Sequence, residues 1–206
     1  MAPGQDNKEK LIEVACNLFA TRGFRGTSIR DIARDMNMSI SNIYHHFGNK
    51  EGLLLEILKH ASFQLTERLH RIEEKDLDPL ERFRFMLHAH LCFSMEHANE
   101  SKIFSLDEEH LTPEGHQINL KIQREILQIY VNQLRILEKG GYIRSQSLTI
   151  MAFNIIAVMN WHLRWFKPDG QLTFEDTVYE IIHFILHGIL NKTAEKTNYI
   201  DDNTSK

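Results

Sequence analysis

The stretch MNMSISNIYHHF, residues 36–47, places Ser39, Ser41, Asn42, Tyr44, His45 and His46 within eight positions. Hydroxyl, amide, phenol and imidazole groups suit base edges and phosphate oxygens, and none of the six brings a repelling negative charge. The stretch is too polar for a core helix and too poor in carboxylates for an ordinary solvated one. Lys50 follows at the start of the next helix, where its ammonium and the free backbone N–H groups can meet a phosphate. The reading to weigh against this is a polar helix that merely faces water.

Such donors need a frame. A helix over about 28–36 precedes them, with Thr27 or Ser28 able to cap it and Ser28 to Asp31 at capping-box spacing. Ala33 is small enough for two helices to cross closely. Asn37 stands where a tight turn needs a left-handed residue, a position that Asn tolerates next best after Gly. Ile32, Met38 and Ile43 are the apolar pegs of a small core, and Phe47 packs at the end. Before them, Leu11, Ile12, Val14, Ala15, Leu18 and Phe19 recur at helical spacing until Gly23. Two short helices joined by a tight turn form a helix-turn-helix.

The remaining chain reads as longer helices. The turn GNK at 48–50 opens one to about residue 73, and LDP at 77–79 separates it from a helix over 80–97. A shorter helix over 101–108 follows, then a long one opened by TPEG at 112–115 and closed by Gly140-Gly141. Helices over 147–166 and 173–191 flank KPDG at 167–170. No useful segment alternates with period 2, so the expected fold is all-α with about nine helices. The expected domains are a helix-turn-helix domain over 1–50, a helical body over 51–192, which the family resemblance described below implies is a ligand-binding and dimerisation domain, and a polar, frayed tail over 193–206.

The net charge of −4 argues against bulk nucleic-acid affinity, yet residues 1–50 hold seven Lys/Arg against five Asp/Glu. One slightly basic end on an acidic body fits a protein whose one end meets phosphates. Cys16 and Cys92 lack paired or metal-type spacing, the N-terminus is polar, and the apolar run 148–166 is broken by Asn154, Asn160, His162 and Arg164. A reducing, cytoplasmic setting without a membrane span is expected.

The run LFATRGFRGTSIRDIARDMNMSISNIYHHFGNKEGLL resembles the N-terminal domain of TetR-type (tetracycline-repressor-like) transcriptional regulators. The matching elements are Phe19 to Phe24, Thr27 to Ala33, Ile43 to Phe47, and Lys50 to Leu54. Asn37, Ile40 and Asn42 depart from the residues usual at those positions, which leaves the operator sequence open. The resemblance implies that Thr27, Ser28 and Arg30 touch the DNA backbone, and that Ser39, Ser41, Asn42 and His45 face the major groove. It further implies phosphate contacts for Tyr44, His46 and Lys50. Ile40 either meets a thymine methyl or packs beneath its helix.

The helices over 147–166 and 173–191 are apolar on more than one face, so they need a partner beyond their own domain. A homodimer is the economical solution, with Trp161, Trp165, Phe166, Ile181, Phe184 and Ile185 at its interface. Dimerisation sets two recognition helices one DNA turn apart, about 34–36 Å, and a ligand that tilts the 50–73 helix would change that separation. The expected pocket takes Phe85, His88, Ala89, Cys92 and Phe93 from one helix and Phe104 from the next. Ile122, Ile126 and Tyr130 join from the long helix, with Met159 and His162 beyond it. WHLRWFKPDG at 161–170 is similar to a stretch in acyl-CoA-sensing members of the family, which implies an apolar slot with a cationic mouth, Arg124, Arg135, Lys139, Arg164 and Lys167 being candidates. No resident cofactor or metal is expected. The alternatives are a regulator of the same fold that senses a metal or another small molecule, with His88 and Cys92 the first pair to inspect, and a helical interaction module without DNA. No catalytic motif supports an enzyme.

Overall fold

The computed structural model describes residues 3–106, 110–167 and 169–191, with side chains at 3–6 and 104–106 left aside. Among the described residues the elements are α1 (Pro3–Gly26), α2 (Ile29–Asp35), α3 (Ile40–Phe47), α4 (Lys50–Glu73), α5 (Pro79–Glu96), α6 (Ala98–Leu106), α7 (Pro113–Lys139), α8 (Leu148–Trp161) and α9 (Phe174–Ile189). The all-α expectation holds. The sole strand-like feature among them is a single bridge between Ile143 and Leu190.

Local signals fix the element ends. Gly23 breaks the helical path of α1 at φ 74°, ψ 160°. Ser28 caps α2: its hydroxyl accepts from the Asp31 N–H, and the Asp31 carboxylate accepts from the Ser28 N–H. Asn37 is left-handed at φ 50°, and the Met38 N–H closes the turn on the Ala33 carbonyl at 2.9 Å. Gly141, at φ 79°, follows α7, with the Gly141 and Tyr142 N–H groups returning to the carbonyls of Glu138 and Leu137. Helix α8 stops earlier than expected. The chain tightens into a 3₁₀ turn at His162–Arg164, where the His162 carbonyl accepts from both Trp165 and Phe166.

Packing divides the chain differently from the expected boundary at residue 50. Of the described residues, those within 3–65 and 94–125 form one compact unit and those within 66–93 and 126–191 form the other. The expected tail over 193–206 lies outside the described residues.

The first unit has one core. Leu11, Ala15 and Phe19 of α1, Ile32 of α2, Ile43 of α3, Leu53, Leu54 and Ile57 of α4, Ile103 of α6 and Ile122 of α7 are all buried in it. Polar ties reinforce it. Lys102 Nζ donates to the Ala20 carbonyl at 2.7 Å, and Glu51 accepts from the Thr112 N–H and hydroxyl at 2.7 and 2.8 Å.

In the second unit Phe83, Met86, Leu87, Tyr130, Leu134 and Met159 are fully or nearly fully buried. Gln133 Nε2 donates to the Pro79 carbonyl, and the Tyr142 hydroxyl donates to Asp78 at 2.6 Å. Asn191 donates its backbone N–H to Tyr142 and its side-chain amide to Gly141, which ties down the end of α9.

Candidate functional site

Helix α3 is pinned from beneath by a single fully buried residue, Ile43, with Phe47 packed partly against the same core. Ser39 caps it by accepting from the Asn42 N–H at 3.2 Å, and the Gly48 N–H closes on the Tyr44 carbonyl at 2.8 Å. With its axis so held, α3 turns Ser39, Ile40, Ser41, Tyr44, His45 and His46 outward, with Asn42 half-buried among them. Tyr44 is 48% exposed. An exposed phenol on a helix fixed at both ends can reach a surface laid against it. Ile40 is 37% exposed, so it does not pack beneath the helix.

Two expectations on the flank are corrected. Thr27 is 1% exposed, and its hydroxyl donates to the Leu18 and Gly23 carbonyls at 3.1 and 3.0 Å. That hydroxyl closes the broken end of α1 and is not presented to a backbone phosphate. Lys50 is likewise committed. Its Nζ donates to the Phe24 carbonyl at 2.8 Å and the Thr27 carbonyl at 3.0 Å, and stands 4.2 Å from the centre of the Phe24 ring. Partial burial lowers its pKa below the ordinary lysine value. Lys50 is therefore a strut from α4 to the α1–α2 junction. Ser28 and Arg30 are exposed as expected, although the Ser28 hydroxyl is engaged with Asp31.

The second unit holds a buried polar cluster. His90 Nδ1 and the Tyr130 hydroxyl lie 2.9 Å apart, and that hydroxyl also approaches Met159 Sδ at 3.9 Å. His162, 1% exposed, bonds the Met159 carbonyl. Burial lowers the His90 pKa from the ordinary 6.5 to about 4, with the His162 ring adding to the shift. Burial also lowers His162, partly offset by its bond to Met159, and raises the Tyr130 phenol. These are groups held neutral.

The residues expected to line a pocket separate. Tyr130, Met159 and His162 belong to this cluster; Phe93 and Ile126 are buried in the same unit, Phe93 beneath the Arg68 guanidinium. Phe85 and His88 instead lie on the exposed face of α5, off its buried stripe of Phe83, Met86, Leu87, His90 and Leu91. Ala89 and Cys92 are half-buried, and Ile122 sits in the core of the first unit. The Phe104 side chain lies outside the described residues. His90, which periodicity places in the buried stripe of α5, joins the polar cluster although it was not among the residues expected there.

His88 and Cys92 do approach, Sγ to Nδ1 3.6 Å. Among the described residues no group of three or more His, Cys, Asp or Glu within the chain could hold a metal. No described helix is long and apolar enough to cross a membrane.

On the expected dimer surface, Trp161, Trp165 and Phe184 are exposed, at 60, 45 and 66%, while Phe166 and Ile181 are half-buried. Ile185 is corrected: it is buried within its own chain beside Leu186 and cannot face a partner. Trp165, Leu172, Ile181 and Phe184 line an apolar groove of about 300 Å³ edged by Asp176 and Glu180.

Residues 11–57 match the profile of "Bacterial regulatory proteins, tetR family", and residues 76–189 match that of "Tetracyclin repressor-like, C-terminal domain". The chain belongs to the TetR family. The regulator is 28% identical over 191 residues to the HTH-type transcriptional repressor KstR2 of Mycobacterium tuberculosis, covering 90% of this chain and 95% of the relative. The solved structure of that ketosteroid regulator superposes with a TM-score of 0.76 at 25% identity, over 93% of this chain and 98% of that one. The structure of AibR in complex with isovaleryl coenzyme A and operator DNA gives 0.77 at 27% identity, over 86% and 97%. The regulator is a helix-turn-helix transcriptional regulator, and α3 is the second helix of that motif.

Proposed function

We propose that the regulator acts in the cytoplasm as a homodimeric repressor that reads a palindromic operator and is released by an acyl-coenzyme A thioester. The carrying observation is α3 itself. Its outward face offers hydroxyl, amide, phenol and imidazole groups with no carboxylate, on a helix pinned by Ile43 and capped at Ser39. Ser39, Ser41, Asn42 and His45 address base edges, and Ile40, freed from packing, meets a thymine methyl. Tyr44 and His46, with Ser28 and Arg30 on the flank, hold phosphates.

The effector reading rests on the second unit and on the relatives. His90, Tyr130 and His162 set neutral polar groups beside Phe83 and Met159, the composition that orients a mostly apolar ligand. AibR was solved with an acyl-CoA, and the WHLRWFKPDG stretch supports the same ligand class. Arg164, over the Trp161 ring, with Lys167 and Lys139, supplies exposed cations for its phosphates. Helix α4 begins at Lys50, just after the recognition helix, and runs unbroken to Glu73, and the reading requires that effector binding shift it.

The test is fluorescence anisotropy on a labelled palindrome from the DNA upstream of the protein's own coding sequence. Binding is expected near the nanomolar range and should weaken steeply with salt. Among short branched, straight-chain and ring-derived acyl-CoAs, at least one should release the DNA while free coenzyme A does not. No thioester hydrolysis is expected, because the chain acts as a regulator and not as an enzyme. Operator binding indifferent to the whole panel would refute the acyl-CoA reading and leave the DNA reading standing.

A further inference from the structure

The first turn of α4 meets both the end of the recognition helix and the start of α7, all within the first compact unit. Toward α3 the fit is tight. The Gly52 N–H donates to Asn49 Oδ1 at 2.7 Å, and a Cβ built on Gly52 would collide with the carbonyl of Phe47, the last residue of α3. A larger residue there would push the two helices apart, so α3 is seated directly on the first turn of α4. Ile43 alone is fully buried beneath α3. The tilt of α3 therefore depends on what holds that turn. Lys50 braces it toward the Phe24 and Thr27 carbonyls.

Toward α7 the hold is one carboxylate. Glu51 Oε1 accepts from both the N–H and the hydroxyl of Thr112, at 2.7 and 2.8 Å. The same hydroxyl accepts from the Gly115 N–H at 3.1 Å, so Thr112 caps α7. A negative charge beside a helix N-terminus is also favoured by the helix dipole. Gly115 is buried, and its φ is not left-handed, so backbone conformation does not require glycine there. Space does: a Cβ on Gly115 would strike the Glu51 carboxylate.

We infer that Glu51 is a positioning residue for operator recognition: its bond to Thr112 ties α7 to the first turn of α4 and so sets the pose of α3, without itself touching DNA. The inference rests on the reading of α3 as the helix laid against DNA. Charge alone predicts the opposite effect. A carboxylate next to a DNA-binding helix repels a polyanion, so removing it would tighten binding. A mere helix cap would change stability and leave operator affinity alone.

The test is operator anisotropy on the full chain at one salt concentration, with circular-dichroism melting in parallel. Glu51→Ala and Gly115→Ala should each bind more weakly by about fivefold or more, and the double variant no more weakly than the weaker single one, because both act on one bond. Glu51→Gln keeps the acceptor and loses the charge, and should recover most of the affinity. Glu51→Ala at or above wild-type affinity, losses that add in the double variant, or a Glu51→Gln no better than Glu51→Ala overturns the inference and leaves operator binding standing. A wild type that binds no palindrome removes the DNA reading and this inference together. Should Glu51→Ala lose its helical spectrum, Gly115→Ala decides alone. Alanine is the better helix former, so weakened binding there supports the joint and unaltered affinity refutes it.

Discussion

At the scale of the residue, burial and exposure assign opposite jobs to neighbours of similar chemistry. Asn42 is half-buried on the outward side of α3 while Ile43 beside it is sealed in the core. Replacing Asn42 with Ala should relax preference at one operator position by about 1–3 kcal/mol, read by competition with singly substituted palindromes. Lys50, taken up by two carbonyls and a ring, should behave as a structural residue. Lys50→Met is expected to lower unfolding stability by about 1–2 kcal/mol in urea titration. His90 gives the pH signature. Its folded pKa, about 4, lies below the ordinary 6.5, so between these values the unfolded chain binds more protons than the folded one. The stability it contributes is intact above pH 6.5 and is lost as pH falls toward 4, on the order of 3 kcal/mol in all. The difference in urea midpoint between wild type and His90→Gln, followed from pH 7 to pH 5, should therefore shrink as the pH drops.

The elements show which parts of this molecule local chemistry can write. Ser28 with Asp31, left-handed Asn37 and the Gly140-Gly141 pair announce helix ends through groups a few residues apart, and each appears as expected; Ser39 adds a cap of the same local kind. At Asn37 a β-branched residue resists the left-handed conformation, so Asn37→Val should cost about 1–2 kcal/mol in thermal unfolding, whereas Asn37→Gly should be neutral or better. The inward duties of Thr27 and Lys50 were not legible, because their partners are backbone carbonyls of Leu18, Gly23, Phe24 and Thr27, and a carbonyl carries no mark in the sequence. Helix α8 posed a different difficulty. It is apolar almost all round, so no stripe told Ala152, Ile155 and Met159, which face inward, from Ile150, Phe153 and Trp161, which do not. On α5 the stripe was present. His90 lies in it, whereas Phe85 and His88, chosen for side-chain type, lie off it.

For the whole molecule, operator recognition requires two heads at fixed separation, and the exposed aromatic surface of α8 and α9 is where the second copy is proposed to attach. A charge placed in that surface should separate the copies without disturbing either core. Phe184→Glu is expected to sediment as a folded monomer with an unchanged helical circular-dichroism spectrum, and to bind the palindrome at least tenfold more weakly. The central claim is that the outward face of α3 is laid against DNA. Anisotropy titration of wild type and Tyr44→Ala on a set of related palindromes, at one physiological salt concentration, tests it most directly. The account predicts that Tyr44→Ala loses affinity by a similar factor on every palindrome, as a phosphate contact should. Undiminished operator binding by a folded Tyr44→Ala dimer would contradict it.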